Sequence, residues 1–200
     1  DENIIDSVET RFGFRKTYFD VNGGLYLNDE YVKMTGFCNH QDFAGCGTAM
    51  PNRVNRFRVE HLQEMGANSW RMSHNPPNPE LLDFADEYGL LVWDENRNFA
   101  NNTQYLQDQA DMINRDKNHP SIVIWSLCNE GGCMEGSANG GNVGTMFEDV
   151  IRSIDNYNTR PISAAMNGAW GDALSGVLDI QGINYNYNQY DPYHKQHPKQ

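Results

Sequence analysis

Ile122-Val123-Ile124-Trp125-Ser126-Leu127-Cys128-Asn129-Glu130-Gly131-Gly132 is the stretch on which the fold turns. From Ile122 to Leu127 every residue but Ser126 is β-branched, aromatic or aliphatic. Such a run reads as a strand buried on both faces, as in a parallel sheet covered by helices. An acid that closes the strand and precedes two glycines lies on a loop at the strand's C-terminal edge. In α/β barrels that edge carries the chemistry. Glu130 is therefore a candidate proton donor, with Asn129 beside it as a neutral hydrogen-bonding group. The competing reading is a loop carboxylate that caps the next helix or faces solvent.

Outward from this strand the chain alternates between two periodicities. Residues 32–38, 68–72 and 90–93 read as strands upstream of it, and 53–65, 79–88 and 103–115 as helices. Gly66 and Gly89 stop the first two helices, since glycine takes the left-handed conformation that ends a helix. Downstream, 143–157 reads as a helix, and 161–165 and 178–183 as the fifth and sixth strands of the sheet. Repeated β-α units imply a parallel sheet with right-handed crossovers. A (β/α)8 TIM barrel and a doubly wound sheet both fit, and both bind ligands at the C-terminal strand ends. The first strand is not followed by G-x-G-x-x-G, which counts against dinucleotide binding. Residues 11–15 and 25–30 break the alternation and read as short extended pieces around the Gly23-Gly24 turn. Residues 185–200, rich in Tyr, Asn, Gln and His, read as a long barrel loop.

A formal charge of -12 with no Lys/Arg cluster argues against nucleic acid as a partner. It suits an enzyme acting on neutral substrates. No apolar run approaches the about 20 residues needed to cross a bilayer, so a membrane partner is not expected. Cys38, Cys46, Cys128 and Cys133 form neither a dense disulfide framework nor a zinc spacing. All four are expected to be reduced structural thiols. The 200 residues fall short of the about 250 that a whole barrel takes.

The segment in front of the strand extends the central motif. Asp116 through Glu130 reads D-x-N-H-P-S-I-V-I-W-S-L-C-N-E, which resembles the acid/base segment of glycoside hydrolase family 2, the β-galactosidase and β-glucuronidase family. A second stretch, N-x-x-R-x-S-H-N-P-P from Asn68 to Pro77, is similar to another signature of that family. So are Cys38-Asn39-His40-Gln41-Asp42 and Asp94-Glu95-Asn96-Arg97. The resemblance runs from Arg11 to about Pro198 and implies an α/β (β/α)8 TIM barrel, incomplete here, with about six of eight strands present. Residues 1–30 are then the lead-in from a preceding β-sandwich domain, and 31–200 a partial barrel lacking strands seven and eight.

Family 2 enzymes are retaining. Their chemistry needs one carboxyl group as nucleophile and a second, about 5 Å away, switching between acid and base. The resemblance assigns the acid/base role to Glu130 and contact with the sugar 2-hydroxyl to Asn129. Arg71, at a strand end, can orient a carboxylate by bidentate hydrogen bonds, and His74 is placed by the sugar. His40 and Asp42 are candidate contacts to sugar hydroxyls, or else brace their loop. Glu95 is expected to support the site from behind, or to pair with Arg71 or Arg97 in a buried network. Tyr185 is expected near the nucleophile, with Tyr187 close behind it. Trp170 could stack on a sugar face or pack in the core.

The loop after Arg97 runs Asn98-Phe99-Ala100 and lacks the acid and His that bind magnesium in the best-known bacterial β-galactosidases. No metal and no cofactor is expected there. The family's nucleophile is a Glu at the end of strand seven, expected beyond Gln200. These features imply part of a retaining exo-β-glycosidase acting on terminal β-galactosides, the C-N-H-Q-D form tipping the sugar toward galactose. The alternative is a truncated, non-catalytic barrel that serves as a structural or carbohydrate-binding component. The full-length protein can be a homo-oligomer. Its location is left open, with a lean toward secretion or the periplasm.

Overall fold

The computed structural model describes residues 4–200. Strands β1 (Thr17–Asp20), β2 (Gly24–Leu27) and β3 (Glu30–Val32) pair antiparallel in that order. Gly24 at φ 84 turns the first hairpin. The extended piece expected at residues 11–15 is not a strand; the pairing partner is β1, two residues further on. There Arg15 instead points its guanidinium at the carbonyls of Pro120 and Ile122. Glu30 pairs within the lead-in as expected, while Tyr31 and Val32, expected at the start of the barrel, pair with β2 in the same antiparallel sheet.

Six parallel strands follow, β4 (Gly36–His40), β5 (Ser69–Ser73), β6 (Leu91–Glu95), β7 (Ile122–Asn129), β8 (Ile162–Met166) and β9 (Ile180–Ile183), and they pair in chain order. Helices α1 (Asn52–Glu64), α2 (Pro79–Tyr88), α3 (Thr103–Asp116) and α4 (Ala138–Ile154) connect the first five. Consecutive order, with an α-helix in four of the five crossovers and a 3-10 turn (Ala173–Gly176) in the last, gives an incomplete α/β barrel, not a doubly wound sheet, whose strand order reverses midway.

Local chemistry fixes the helix ends. Pro79 sits at the first helical position of α2 and Gly89 ends that helix at φ 75. The Asn102 side chain accepts the free N–H groups of Gln104 and Tyr105 at the start of α3. The Ser137 side chain does the same for Gly140 at the start of α4. That helix begins five residues before the expected Val143, because Gly140 lies against the turn at Cys133 and Met134, and Gly144 against Leu174 and Val177. A Cβ at Gly140 would come within 2.5 Å of the Met134 carbonyl oxygen, so only glycine lets the helix pass there.

Two apolar clusters sit on opposite sides of the sheet. The larger joins its outer face to the helices through Trp70, Val92, Trp125, Ile162, Leu62, Leu81, Ile113 and Phe147. The smaller joins Leu91, Val123 and Ile124 to Leu25, with Phe19, Leu27, Val32, Met34 and Trp93 against them. The antiparallel lead-in thus closes the N-terminal mouth of the barrel. Strand β7 is buried from Ile122 to Cys128, as its composition predicts.

Two expectations are corrected. Residues 185–200 are not a continuous loop, since helix α5 (Tyr190–Gln196) forms within them. Cys128 and Cys133, expected as thiols, are joined as a disulfide, while Cys38 and Cys46 are free and exposed. A single turn of 3-10 helix over Glu130–Cys133 folds the chain back. It sets the two Cα atoms 5.3 Å apart, within bridging range.

Strands β4 and β9 each pair on one side only among the described residues. Unpaired strand edges template association. A polypeptide of these 200 residues expressed alone should elute from size-exclusion chromatography as oligomers or aggregates and melt without a sharp cooperative transition. A cooperative, monomeric species would show that the edges are shielded.

Candidate active site

The C-terminal strand ends bring one polar network together. On β5 and β6, Arg71 and Glu95 face inward. Glu95 is fully buried and accepts from Arg71 Nε at 2.7 Å and Arg71 Nη2 at 2.8 Å. It also meets His74 Nδ1 at 2.8 Å and accepts from the Ser126 hydroxyl at 3.1 Å. Burial alone would lower the Arg71 pKa, but the hydrogen bonds and charge of Glu95 leave it raised, so the guanidinium stays charged. A buried ion pair is tolerable only with this many satisfied partners.

Arg71 hands the network on to β7. Its Nη2 donates to Asn129 Oδ1 at 2.6 Å. Asn184, one residue past β9, donates from Nδ2 to Glu130 Oε1 at 2.8 Å and toward Asn129 Oδ1 at 3.4 Å. With its oxygen so engaged, Asn129 keeps its amide N–H groups free to donate to a ligand. Glu130 occupies the left-handed region at φ 49, which aims its side chain off the strand direction.

The electrostatics of Glu130 follow from these neighbours. Hydrogen bonding to the Tyr185 hydroxyl and then to the Asn184 amide holds its carboxyl below the usual range. Burial opposes this, and the charges of His74 and Arg71 add lesser contributions in the lowering direction. Tyr185 is raised in turn by the Glu130 carboxylate. Glu135, five residues on, moves the other way. Burial and then the nearby Glu130 charge raise it, although its Oε1 accepts the Asn167 N–H at 2.8 Å.

Not every expected residue joins the network through its side chain. His40 lies at the end of β4, its ring edge-on to His74 with centroids 5.0 Å apart. Asp42 lines a depression with His40, Asn39, Phe57, Arg58 and His61, on the side facing α1. Trp170 donates its indole N–H to the Met166 carbonyl and packs against the main core. Arg97 reaches the His74 carbonyl at 3.4 Å and not Glu95. In the loop after β6, Asn96 donates to the Asn98 carbonyl and Phe99 is buried against Phe147. The trio Asp83, Asp86 and His119 could hold a cation, having ligand atoms within 4.8 Å of one another. It lies between α2 and the loop before β7, where His119 already pairs with Asp86 at 2.7 Å.

Asn184, Ser126 and Glu135 were not singled out in the sequence. For Asn184 the signal was alternation: Gly182 faces the interior at Trp93, so the residue two further on faces it too. For Ser126 the signal was a lone hydroxyl in an otherwise apolar strand.

Comparison with known proteins decides the family. The chain matches the family described as glycosyl hydrolases family 2, TIM barrel domain, over residues 20–110 and 97–198. It belongs to glycosyl hydrolase family 2. A beta-galactosidase of Bacteroides ovatus is 32% identical over 92% of this chain and 27% of its own length. A beta-glucuronidase of Bacteroides fragilis is 28% identical over 100% of the chain and 29% of its own length. The crystal structure of a family 2 member from Bacteroides cellulosilyticus superposes with a TM-score of 0.86 at 31% identity, covering 94% of this chain and 26% of that one. The chain thus spans about a quarter of the length of these family 2 relatives.

Removing the strongest influence on Glu130 gives a signed test. In Tyr185→Phe the donor that favours the carboxylate is gone, so the Glu130 carboxyl should titrate at higher pH than in the wild type. Carboxyl 13C NMR reads this directly. An unmoved titration would show that the Tyr185 hydroxyl does not serve Glu130.

Proposed function

We propose that the protein containing this chain is a retaining β-glycosidase in which Glu130 is the general acid/base. The observation that carries this reading is the chain of contacts Glu95–Arg71–Asn129–Asn184–Glu130 at the C-terminal strand ends. It presents one carboxyl group and one donor amide, Asn129, toward the open side of the barrel. In this mechanism Glu130 protonates the departing glycosidic oxygen, then as carboxylate draws a proton from the water that attacks the glycosyl-enzyme. Asn129 donates to the sugar hydroxyl next to the reacting carbon. Arg71, locked by Glu95, holds Asn129 in that orientation, and His74 and His40 face the sugar. Tyr185 helps set the Glu130 proton affinity.

A general acid works best with a raised pKa, yet here the neighbours of Glu130 lower it. A second carboxylate about 5 Å away supplies the missing influence, because two like charges that close cannot both ionise freely. Our reading places that nucleophile on barrel strand seven, outside these 200 residues. Related proteins include both a beta-galactosidase and a beta-glucuronidase; we favour a terminal β-galactoside on the C-N-H-Q-D segment that carries His40 and Asp42.

The test is leaving-group dependence in the complete protein. Glu130→Gln should cut turnover of a disaccharide by about 10²–10⁴-fold. Turnover of an aryl glycoside with a strongly acidic phenol should fall far less, because that oxygen needs little protonation. Equal losses on both substrates would remove Glu130 from the acid/base role and favour a non-catalytic, carbohydrate-binding barrel.

A further inference from the structure

We propose that the Cys128–Cys133 disulfide is a positioning device for Glu130, set on the far side of the barrel wall from the substrate. This rests on the reading of Glu130 as acid/base. Both cysteines are fully buried and belong to the core between sheet and helices, with Val143 and Phe147. Neither is a hydrogen-bond partner of Glu130, so the bridge acts through the backbone. The ring it closes contains Asn129, Glu130, Gly131 and Gly132, which include both residues assigned to the sugar.

Within that ring the ordinary restraints on a loop are weak. Glu130 holds a left-handed φ of 49 and Met134, just past the bridge, a φ of 52; this region is disfavoured for residues with a Cβ. A Cβ on Gly131 or Gly132 would meet nothing within 4 Å, so no side-chain packing restrains either glycine, and the Gly131 carbonyl is held only by the Met134 N–H at 3.3 Å. The ladder to β8 slips its register between Ser126 and Asn129, and only Asn129 regains a partner, Ala165. Beyond the loop, order resumes where Ser137 caps α4. A covalent tie from strand end to turn end supplies the restraint that packing, dihedral preference and the ladder do not.

Reduction would release it. A dithiol attacks one sulfur, forms a mixed disulfide, and closes on itself to expel the second thiolate. Two electrons pass to the protein sulfurs, which take up two protons as thiols, and the reductant leaves as its own cyclic disulfide. Glu130 would then sample backbone conformations that its neighbours Asn184 and Asn129 no longer match.

The experiment uses the complete protein, with aryl β-glycosides of graded phenol acidity carrying the sugar that the wild type hydrolyses. Cys128→Ala/Cys133→Ala should lose about tenfold or more in kcat on the least acidic phenols, since misplacement by about 1 Å can cost 10²-fold. It should lose little on the most acidic ones, and the basic limb of its kcat/KM profile should move. If that variant does not fold, the wild type treated with dithiothreitol is read the same way. Of these four cysteines, only Cys38 and Cys46 should be labelled when unfolded, unreduced wild type is exposed to iodoacetamide. Labelling of all four, or a double variant with the wild-type leaving-group slope and pH profile, would overturn the proposal. Glu130→Gln runs in parallel. A steep slope there with a wild-type slope in the cysteine variant rejects the clamp alone, whereas a uniform loss in Glu130→Gln rejects the acid/base reading and the clamp with it.

Discussion

A guanidinium and a carboxylate buried together, Arg71 and Glu95, are the pair on which the geometry of the site depends. Taking each ion out of water costs about several kcal/mol, recovered only where the remaining lone pairs and protons are satisfied. Glu95 meets that condition with two bonds from Arg71, one contact with His74 and one from Ser126. Four side chains from β5, the loop after it, β6 and β7 are therefore fixed relative to one another by one carboxylate. What the pair exports is direction: Arg71 still has a proton for Asn129, and its angle is set by the fork that Glu95 grips.

The opposite end of β7 is held by cations. Arg160 is nearly buried, and burial pulls its pKa down to about 10. It donates to the carbonyls of Lys117, His119 and Ile122 and stacks 4.8 Å over Trp125. Arg15 reaches Pro120 and Ile122 from the lead-in. These groups satisfy carbonyls that the loop before β7 leaves without strand partners. In the same region His119 pairs with Asp86, and the Ser121 N–H donates to Asp86 at 2.9 Å. Asp94, buried against Asp116, is pushed well above the usual carboxylate range by burial and by that neighbouring acid. The motif from Asp116 to Glu130 thus divides by position. Its first six residues build the N-terminal side of the barrel, and its last two stand at the C-terminal strand end, where we propose that the sugar binds.

This division explains what could be read in the sequence. Strand β7, helix α2 and the inward role of Arg71 rest on local patterns, namely a continuous apolar run, a proline–glycine frame and a charged residue at a strand end. The structure keeps the strand and the helix, and it sets Arg71 on β5 against Glu95 and Asn129. Other features depend on partners distant in the chain. Residues 30–32 have strand character but pair with β2, because tertiary pairing outranks local preference. The segment Ala138-Asn139-Gly140-Gly141-Asn142 reads as a loop by propensity, yet it is the first turn of α4, since its glycines permit close packing. The disulfide is illegible in the sequence for a similar reason. Five residues of separation say nothing about pairing until a 3-10 turn brings the ends together.

The site joins a rigid wall to a compliant rim. Arg71, Glu95 and Ser126 sit on strands whose backbone bonds are fixed by ladders on both sides, and their positions follow from the fold. Glu130, Tyr185 and Met134 all carry positive φ on connecting segments, where no ladder dictates conformation. Chemistry that moves a proton on and off a departing oxygen needs the carboxyl held to within about 0.5 Å. The rim therefore has to borrow its precision from the wall. Arg71 passes it to Asn129, and Asn184 carries it across from β9 to both Asn129 and the Glu130 carboxyl group. The same contacts that aim Glu130 also favour its ionised form. Positioning and proton affinity are therefore coupled in this arrangement: a donor that fixes the carboxylate makes it a weaker acid, and the balance returns only when a second negative charge stands opposite.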